Sequence, residues 1–358
     1  MAARHGARRS QRRRSEERPE RPRRPFVSAG CQHWSPADHS TADRFHSESQ
    51  VIARRLIGVL LLSAALALSA DAFPTTSNLL NVLRQASLIF LAASGVTLVI
   101  LAAGLDLSIG ANLGLSACLT AAAIKATGAI SVGAAAGLAC GTLIGIANGL
   151  MVTQLRLPPF IATYGMLWMV YGINYWYMAG ETIYGFPAEF RALGSGYFLG
   201  VPAPVYLMTA ALVAGGIFTR YTTFGHEVYA IGANAEAARL SGIPVRRRLM
   251  LVYTLSGAMA GLAGVVYLAR LNSAEAGIGD PLLLPAIAAV LIGGTSLFGG
   301  VGGLFGTLIG AVILTLVLNG MNLLAINANW QPLVTGAIVL LAAWIDAAAR
   351  KRAEARDA

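Results

Sequence analysis

Asp106 sits in the stretch GLDLSIG, residues 104–110, at the end of the apolar run LIFLAASGVTLVILAAGL. A charged side chain at the centre of a bilayer costs roughly 2.5–3.5 kcal/mol even on a lenient insertion scale. Gly104 and Gly110 flank the acid, and Ser108 stands where it can cap a following helix. The least costly arrangement is a break between two helices near the cytoplasmic interface. There the carboxylate accepts hydrogen bonds from backbone N–H groups at the start of the next helix. That role is structural. Two sharper roles stay open on the residues alone: gating or partner contact, and proton coupling.

Other chemistry is sparse. The five histidines are His5, His33, His39, His46 and His226, and four of them fall in the first fifty residues, so no Ser/His/Asp set is offered. A phosphate-cradling loop needs a lysine after a glycine, but Lys125 follows Ile124 and Lys351 follows Arg350. Cys31, Cys118 and Cys140 show no CxxC or Cys/His spacing, so neither a zinc site nor a disulfide framework is expected. The chain is expected to hold no metal and no cofactor, and not to be an enzyme.

Two further segments carry distinctive side chains. In FIATYGMLWMVYGINYWYMAG, Tyr164, Trp168, Tyr171 and Tyr175 recur at spacings of four, three and four, which places them on one helix face. Aromatic rings stack on the C–H faces of sugars while their polar tips reach hydroxyls. The face reads either as a pathway lining or as a packing face, with Tyr175, Trp176 and Tyr177 as an interfacial belt. The second segment is RYTTFGHEVYAIGANAEAARLSGIPVRRR, residues 220–248. Asn234 suits a helix N-cap, AEAARLS forms a short helix, and Gly242 with Pro244 ends it. This reads as a handle for a soluble partner or as a plain connector.

The elements that must position these residues are membrane helices. Of 358 residues 56% are hydrophobic and only 12% charged, with a mean hydropathy of +0.61, where a soluble domain has about 25% charged residues. Apolar runs near 55–73, 83–104, 108–126, 129–152, 159–179, 203–220, 247–269, 282–298, 303–323 and 331–346 predict about ten spans. With both termini in the cytoplasm, 23 of the 27 basic residues fall on that side, and Arg84, Lys125, Arg191 and Arg270 fall on the other. The net charge of +10 therefore points to a membrane and not to nucleic acid. Residues 1–50, rich in Arg, Ser and Pro, read as a disordered basic tail, either touching anionic lipid or functionally empty. A transmembrane body follows over 51–349, then a cytoplasmic tail over 350–358. The fold class is all-α and polytopic. Laying 104–122 on 293–311 aligns three glycines, a weak internal repeat.

The stretches AGLDLSIGA, LPPFIATYGML, FGHEVYAIGANAEAARLSGI and LLLPAIAAVLIGGTSLFGGVGGLFGTLIGAVIL occur in this order. In them the chain resembles the permease subunit of ribose-type ABC sugar importers, from about residue 55 to 346. The resemblance implies a permease homodimer in the bacterial inner membrane, a pair of ATPase subunits that bind the ATP, and a periplasmic sugar-binding protein. It implies that Asn234, Ala235, Glu236, Ala237, Ala238, Arg239, Leu240 and Gly242 belong to the coupling helix that docks in the ATPase. It also implies that Gly293, Gly294, Thr295, Ser296, Gly299 and Gly300 lie near the same cytoplasmic face. Many members carry YELDAIAA, whereas this chain has DPLLLPAIAA, so Leu283 and Pro285 replace two acids. The expected function is an alternating-access path for a monosaccharide or polyol. The same architecture serving an amino acid or quorum signal is the alternative. An ion-coupled secondary transporter should hold several intramembrane charges.

Overall fold

The structure, a computed structural model, describes residues 41–357, with side chains over 55–348. The packed body begins at Ser49. The expected disordered tail lies outside the described residues over 1–40, while residues 41–50 open the first helix. The elements in chain order are α1 (Thr41–Ser69), α2 (Thr76–Leu101), α3 (Ile109–Thr127), α4 (Ile130–Thr153), α5 (Pro159–Met178), β1 (Ile183–Tyr184) and α6 (Ala188–Ser195). They continue with β2 (Tyr197–Phe198), β3 (Val201–Pro202), α7 (Ala203–Tyr221), α8 (Thr223–Ala233), α9 (Ala235–Leu240) and α10 (Val245–Leu271). The last are β4 (Ser273–Ala274), α11 (Asp280–Ile292), α12 (Leu304–Leu323) and α13 (Gln331–Asp357). The protein is an all-α polytopic membrane protein.

Each of the ten expected spans is a helix. Among the described residues, seven helices are long and apolar enough to cross a membrane: α2, α3, α4, α7, α10, α12 and a stretch from Ala328 into α13. In α5 the Tyr and Trp residues lower the hydropathy. The apolar part of α1, Arg55–Ser69, is short, and so is α11. The span expected over 282–298 ends at Ile292. There Gly293 follows and Gly294 turns the chain at φ +76°, a conformation glycine adopts without penalty. Pro285 inside α11 removes one backbone donor as well. At the other end, α13 runs on through 350–357, so the C-terminal residues continue a span.

Helices in lipid are not driven together by hydrophobicity, so close backbone approach has to do the work. Here α4 presents Gly133, Gly137, Gly141, Gly145 and Gly149, one per turn and all buried or nearly so. A Cβ at Gly141 would lie 2.5 Å from the carbonyl oxygen of Gly257 on α10, and a Cβ at Gly257 would lie 2.3 Å from that of Gly141. Gly145 sits as tightly against the Tyr253 carbonyl, at 2.4 Å. On α3, Asn112 donates to the Gly141 carbonyl at 3.2 Å. The most enclosed helix is α2, which contributes Phe90, Leu91, Val96 and Ile100 to the main apolar cluster.

Between α5 and α7 the chain builds a small outer cap. β1 pairs antiparallel with β4, Ile183 opposite Ala274, and β2 with β3, Tyr197 opposite Pro202. Lys125 reaches from α3 to the Gly185 carbonyl at 2.7 Å. This cap has no apolar period and was not expected from the sequence.

Replacing Gly141 or Gly257 by Ala should force the two backbones apart and destabilise the fold by about 1–3 kcal/mol. Gly172, with open space around it, is the control position. Thermal melting of the purified variants by circular dichroism checks this, and a Gly141→Ala midpoint equal to wild type contradicts it.

Candidate functional site

Asp106 lies in the turn between α2 and α3 and is fully buried, with 1% of its surface exposed. It accepts from the Ser108 backbone N–H at 3.0 Å and from the Ser108 hydroxyl at 2.7 Å on Oδ1, and from the Ser256 hydroxyl at 2.8 Å on Oδ2. The expected bond from the start of the following helix is present. Ser108 is the N-cap residue of α3, yet its hydroxyl turns to the acid and makes no cap bond. Asn148 on α4 donates to that hydroxyl at 2.7 Å, and Thr163 on α5 donates to the Leu105 carbonyl at 3.1 Å. Four helices thus close around the break. Gly104 and Gly110 each admit a neighbour: added Cβ atoms would lie 2.7 Å from the Tyr253 hydroxyl and 2.9 Å from Leu283 Cβ. Leu283, at a position where the resemblance expects an acid, packs against the break.

The 220–248 segment forms two helices where one was expected. The unforeseen one is α8, whose residues are too apolar and glycine-containing to announce an exposed helix. Asn234 caps α9, accepting from Glu236 N–H at 3.1 Å and Ala237 N–H at 2.9 Å. Gly242 ends it at φ +86°. Arg239 pairs with Glu236 at 2.5 Å and holds that carboxyl below the usual carboxylate range. Ala235, Glu236, Ala237 and Leu240 are exposed, whereas Ala238 is buried against its own chain. An ion pair between Glu227 and Arg248 ties α8 to the start of α10.

The Gly-rich loop 293–303 is bound on several sides. Gly300 N–H donates to the Leu101 carbonyl at 2.9 Å, and the Tyr229 hydroxyl of α8 donates to the Gly302 carbonyl at 2.8 Å. Ser296 Oγ and Leu297 N–H both donate to Asp346 of α13, at 3.0 and 3.1 Å. Arg55 of α1 donates to the Gly293 carbonyl at 2.5 Å. Thr295 accepts from Gly303 N–H at 3.4 Å. A Cβ at Gly299 would meet Ala103, and one at Gly232 of α8 would meet Leu101 and Gly300. The Gly-rich loop therefore packs on the C-terminal end of α2, and α8 packs on both. The end of α2, helix α8 and the Gly-rich loop form one assembly.

The aromatic residues stand apart from it. Phe160, Tyr164, Trp168, Tyr171 and Tyr175 form a continuous ladder along α5, with successive ring centroids 5.8, 6.3, 5.9 and 6.4 Å apart. Tyr164, Trp168 and Tyr175 are 45%, 60% and 56% exposed, so the face does not pack within its own chain. At the outer end Trp176 is more exposed still. Sequence reasoning missed what lies there. The Tyr171 hydroxyl donates to Asp280, and Asp280 lines a cavity of about 220 Å³ with Pro285, Gln331 and Thr335.

A bundle of apolar helices packed through glycine seams, with an acid buried at a helix break, is the make-up of a membrane permease. Residues 78–343 match the family described as branched-chain amino acid transport system / permease component. The ribose import permease protein RbsC of Escherichia coli (strain K12) is 40% identical over 297 residues, covering 82% of this chain and 92% of that protein. Its Bacillus subtilis (strain 168) counterpart is 39% identical over 292 residues, covering 81% and 91%. The galactose/methyl galactoside import permease protein MglC of E. coli (strain K12) is 34% identical over 307 residues, covering 80% and 91%. The chain belongs to this family of import permeases and is a multi-pass protein of the bacterial inner membrane. No solved structure matches it significantly.

Asp106→Ala should leave the Ser108 and Ser256 donors buried without an acceptor, at a cost on the order of 2–3 kcal/mol. Circular dichroism melts should show the loss, and Asp106→Asn, which keeps one acceptor oxygen, should lose less. An Asp106→Ala protein with an unchanged midpoint and no transport would mean that the acid acts in transport and not in the fold.

Proposed function

We propose that this chain is the permease subunit of an ATP-binding cassette importer, giving a monosaccharide or polyol an alternating-access path across the inner membrane. The observation that carries the proposal is the exposed, doubly capped α9 that follows α8, whose Gly232 packs on the end of α2 and on the Gly-rich loop. A transporter without its own nucleotide loop must receive work through a protein contact, and a rigid helix of small residues suits a groove on an ATPase. That partner binds the ATP, and this chain needs no cofactor of its own and performs no covalent chemistry. The ribose and galactose permeases support the solute class, and a periplasmic sugar-binding protein completes the importer.

The exposed aromatic ladder supports a homodimer whose pathway it lines. Its rings suit C–H faces, and Tyr171, Asp280, Gln331 and Thr335 suit hydroxyls. Against an ion-coupled secondary transporter stands Asp106, fully satisfied by serine and backbone donors. The same architecture serving another small solute, such as an amino acid, is an outcome of the uptake test.

Because Ala238 faces inward, a bulky residue there would disturb the chain itself. Ala237→Arg and Leu240→Arg point outward and are the proper probes. Both should insert normally and lower ATPase copurification by at least about tenfold, as expected on disrupting a small packed interface. Equal recovery and equal substrate-stimulated hydrolysis would make the loop a mere connector. Separately, Tyr164→Ala and Trp168→Ala should lower ribose or galactose uptake while leaving ATPase recovery intact. Uptake of neither sugar by the wild type, with uptake of a branched-chain amino acid instead, would overturn the solute assignment.

A further inference from the structure

Arg84 stands about two turns inside the outer end of α2, and Arg270 lies in the last turn of α10. Both lie under one short stretch of the outer cap, Gly194 to Tyr197. Arg84 Nε and Nη2 and Arg270 Nη1 are buried and have no hydrogen-bond partner. Among the described residues the ion pairs are Glu236–Arg239 and Glu227–Arg248, so neither arginine meets a carboxylate. The outer cap closes over both. The Tyr197 ring lies 4.9 Å from the Arg84 guanidinium carbon, and Gly194 of α6 packs on the Arg270 backbone so tightly that a Cβ would sit 2.2 Å from its nitrogen.

Two half-buried like charges with unused buried donors cost more than a paired group. They also stand on the face of the membrane where basic residues are scarce in this chain. Such a pair needs an anion with several acceptor oxygens. Guanidinium forks match a phosphate, whose oxygens can take donors from both arginines at once. Arg270 stands in the last turn of a membrane helix, where basic side chains reach toward lipid headgroups. We infer that Arg84 and Arg270 form a phosphate-binding site beneath the outer cap, with Tyr197 as its wall. A phosphatidylglycerol headgroup and free orthophosphate share this chemistry.

The test uses the full chain purified in neutral detergent. Phosphatidylglycerol, phosphatidylcholine and sodium phosphate, the last against matched chloride, are titrated while the melting midpoint and retained lipid phosphorus are followed. Wild type should be stabilised by one phosphate source, and Arg84→Gln and Arg270→Gln should each weaken that binding by at least about tenfold. Stabilisation by phosphatidylglycerol but not by orthophosphate assigns a lipid site, and stabilisation by orthophosphate assigns a free-anion site. Arg84→Lys and Arg270→Lys keep the charge without the fork, so they should bind with intermediate strength even if the Gln variants fold poorly. Arg191→Gln, on an exposed outer position, should bind as wild type does. No stabilisation by either source, or Lys variants equal to wild type, overturns the inference. So does unchanged phosphate binding in Gln variants that lose the periplasmic binding protein, since a partner's carboxylate would then be the occupant.

Discussion

The fold depends on the contact between the backbones of α4 and α10. Gly141 and Gly257 place main chain against main chain, which is how helices gain dispersion and polar contact in a solvent as apolar as their own side chains. Other features follow from that seam. Ser256, the neighbour of Gly257, is carried to within 2.8 Å of Asp106. Asn148 on the same stripe of α4 is carried to Ser108. A Cβ at Gly95 of α2 would collide with the Ser256 backbone, so α2 is seated on the same junction. The acid can be buried because the seam brings its donors to it.

Much of this was legible in the sequence, and the reason is the bilayer. A membrane helix must be long, apolar and internally hydrogen-bonded, so spans announce themselves and the break at Gly104–Gly110 shows as an acid between glycines. What the break is held by was not legible. Ser256 stands 150 residues away, and a serine in an apolar run carries no sign of its partner. The end of α11 was misplaced because Leu297 and Phe298 continue the apolar run, while the turn is made by two glycines before them. Ala238 was assigned to a partner's groove although it faces its own chain, because a six-residue helix of small residues has too weak a pattern to fix its rotation. The cap escaped notice because its strands are two residues each. Arg84 is visible in the sequence as a charge at the edge of an apolar run, but nothing there shows that the cap covers it together with Arg270.

The Gly-rich loop and the aromatic face lie apart in the fold but share elements. Near the cytoplasmic face the Gly-rich loop is tied to α1 by Arg55, to α2 by Gly300, to α8 by Tyr229 and to α13 by Asp346. A displacement of α8 must therefore move the ends of several spans together. The link toward the opposite face runs through α5, whose Thr163 holds the break and whose Tyr171 holds Asp280. One helix thus runs from the helix break to the cavity beside Asp280.

The exposed aromatic face has an optical consequence. Of the five tryptophans, Trp168, Trp176, Trp330 and Trp344 are all more than half exposed, and the fifth, Trp34, precedes the described residues. None of the described indoles is enclosed in the core. The intrinsic emission of this protein therefore reports the detergent, lipid or second chain that surrounds it, and a change of emission colour on reconstitution reads the solvent of the helix faces while the interior remains dark.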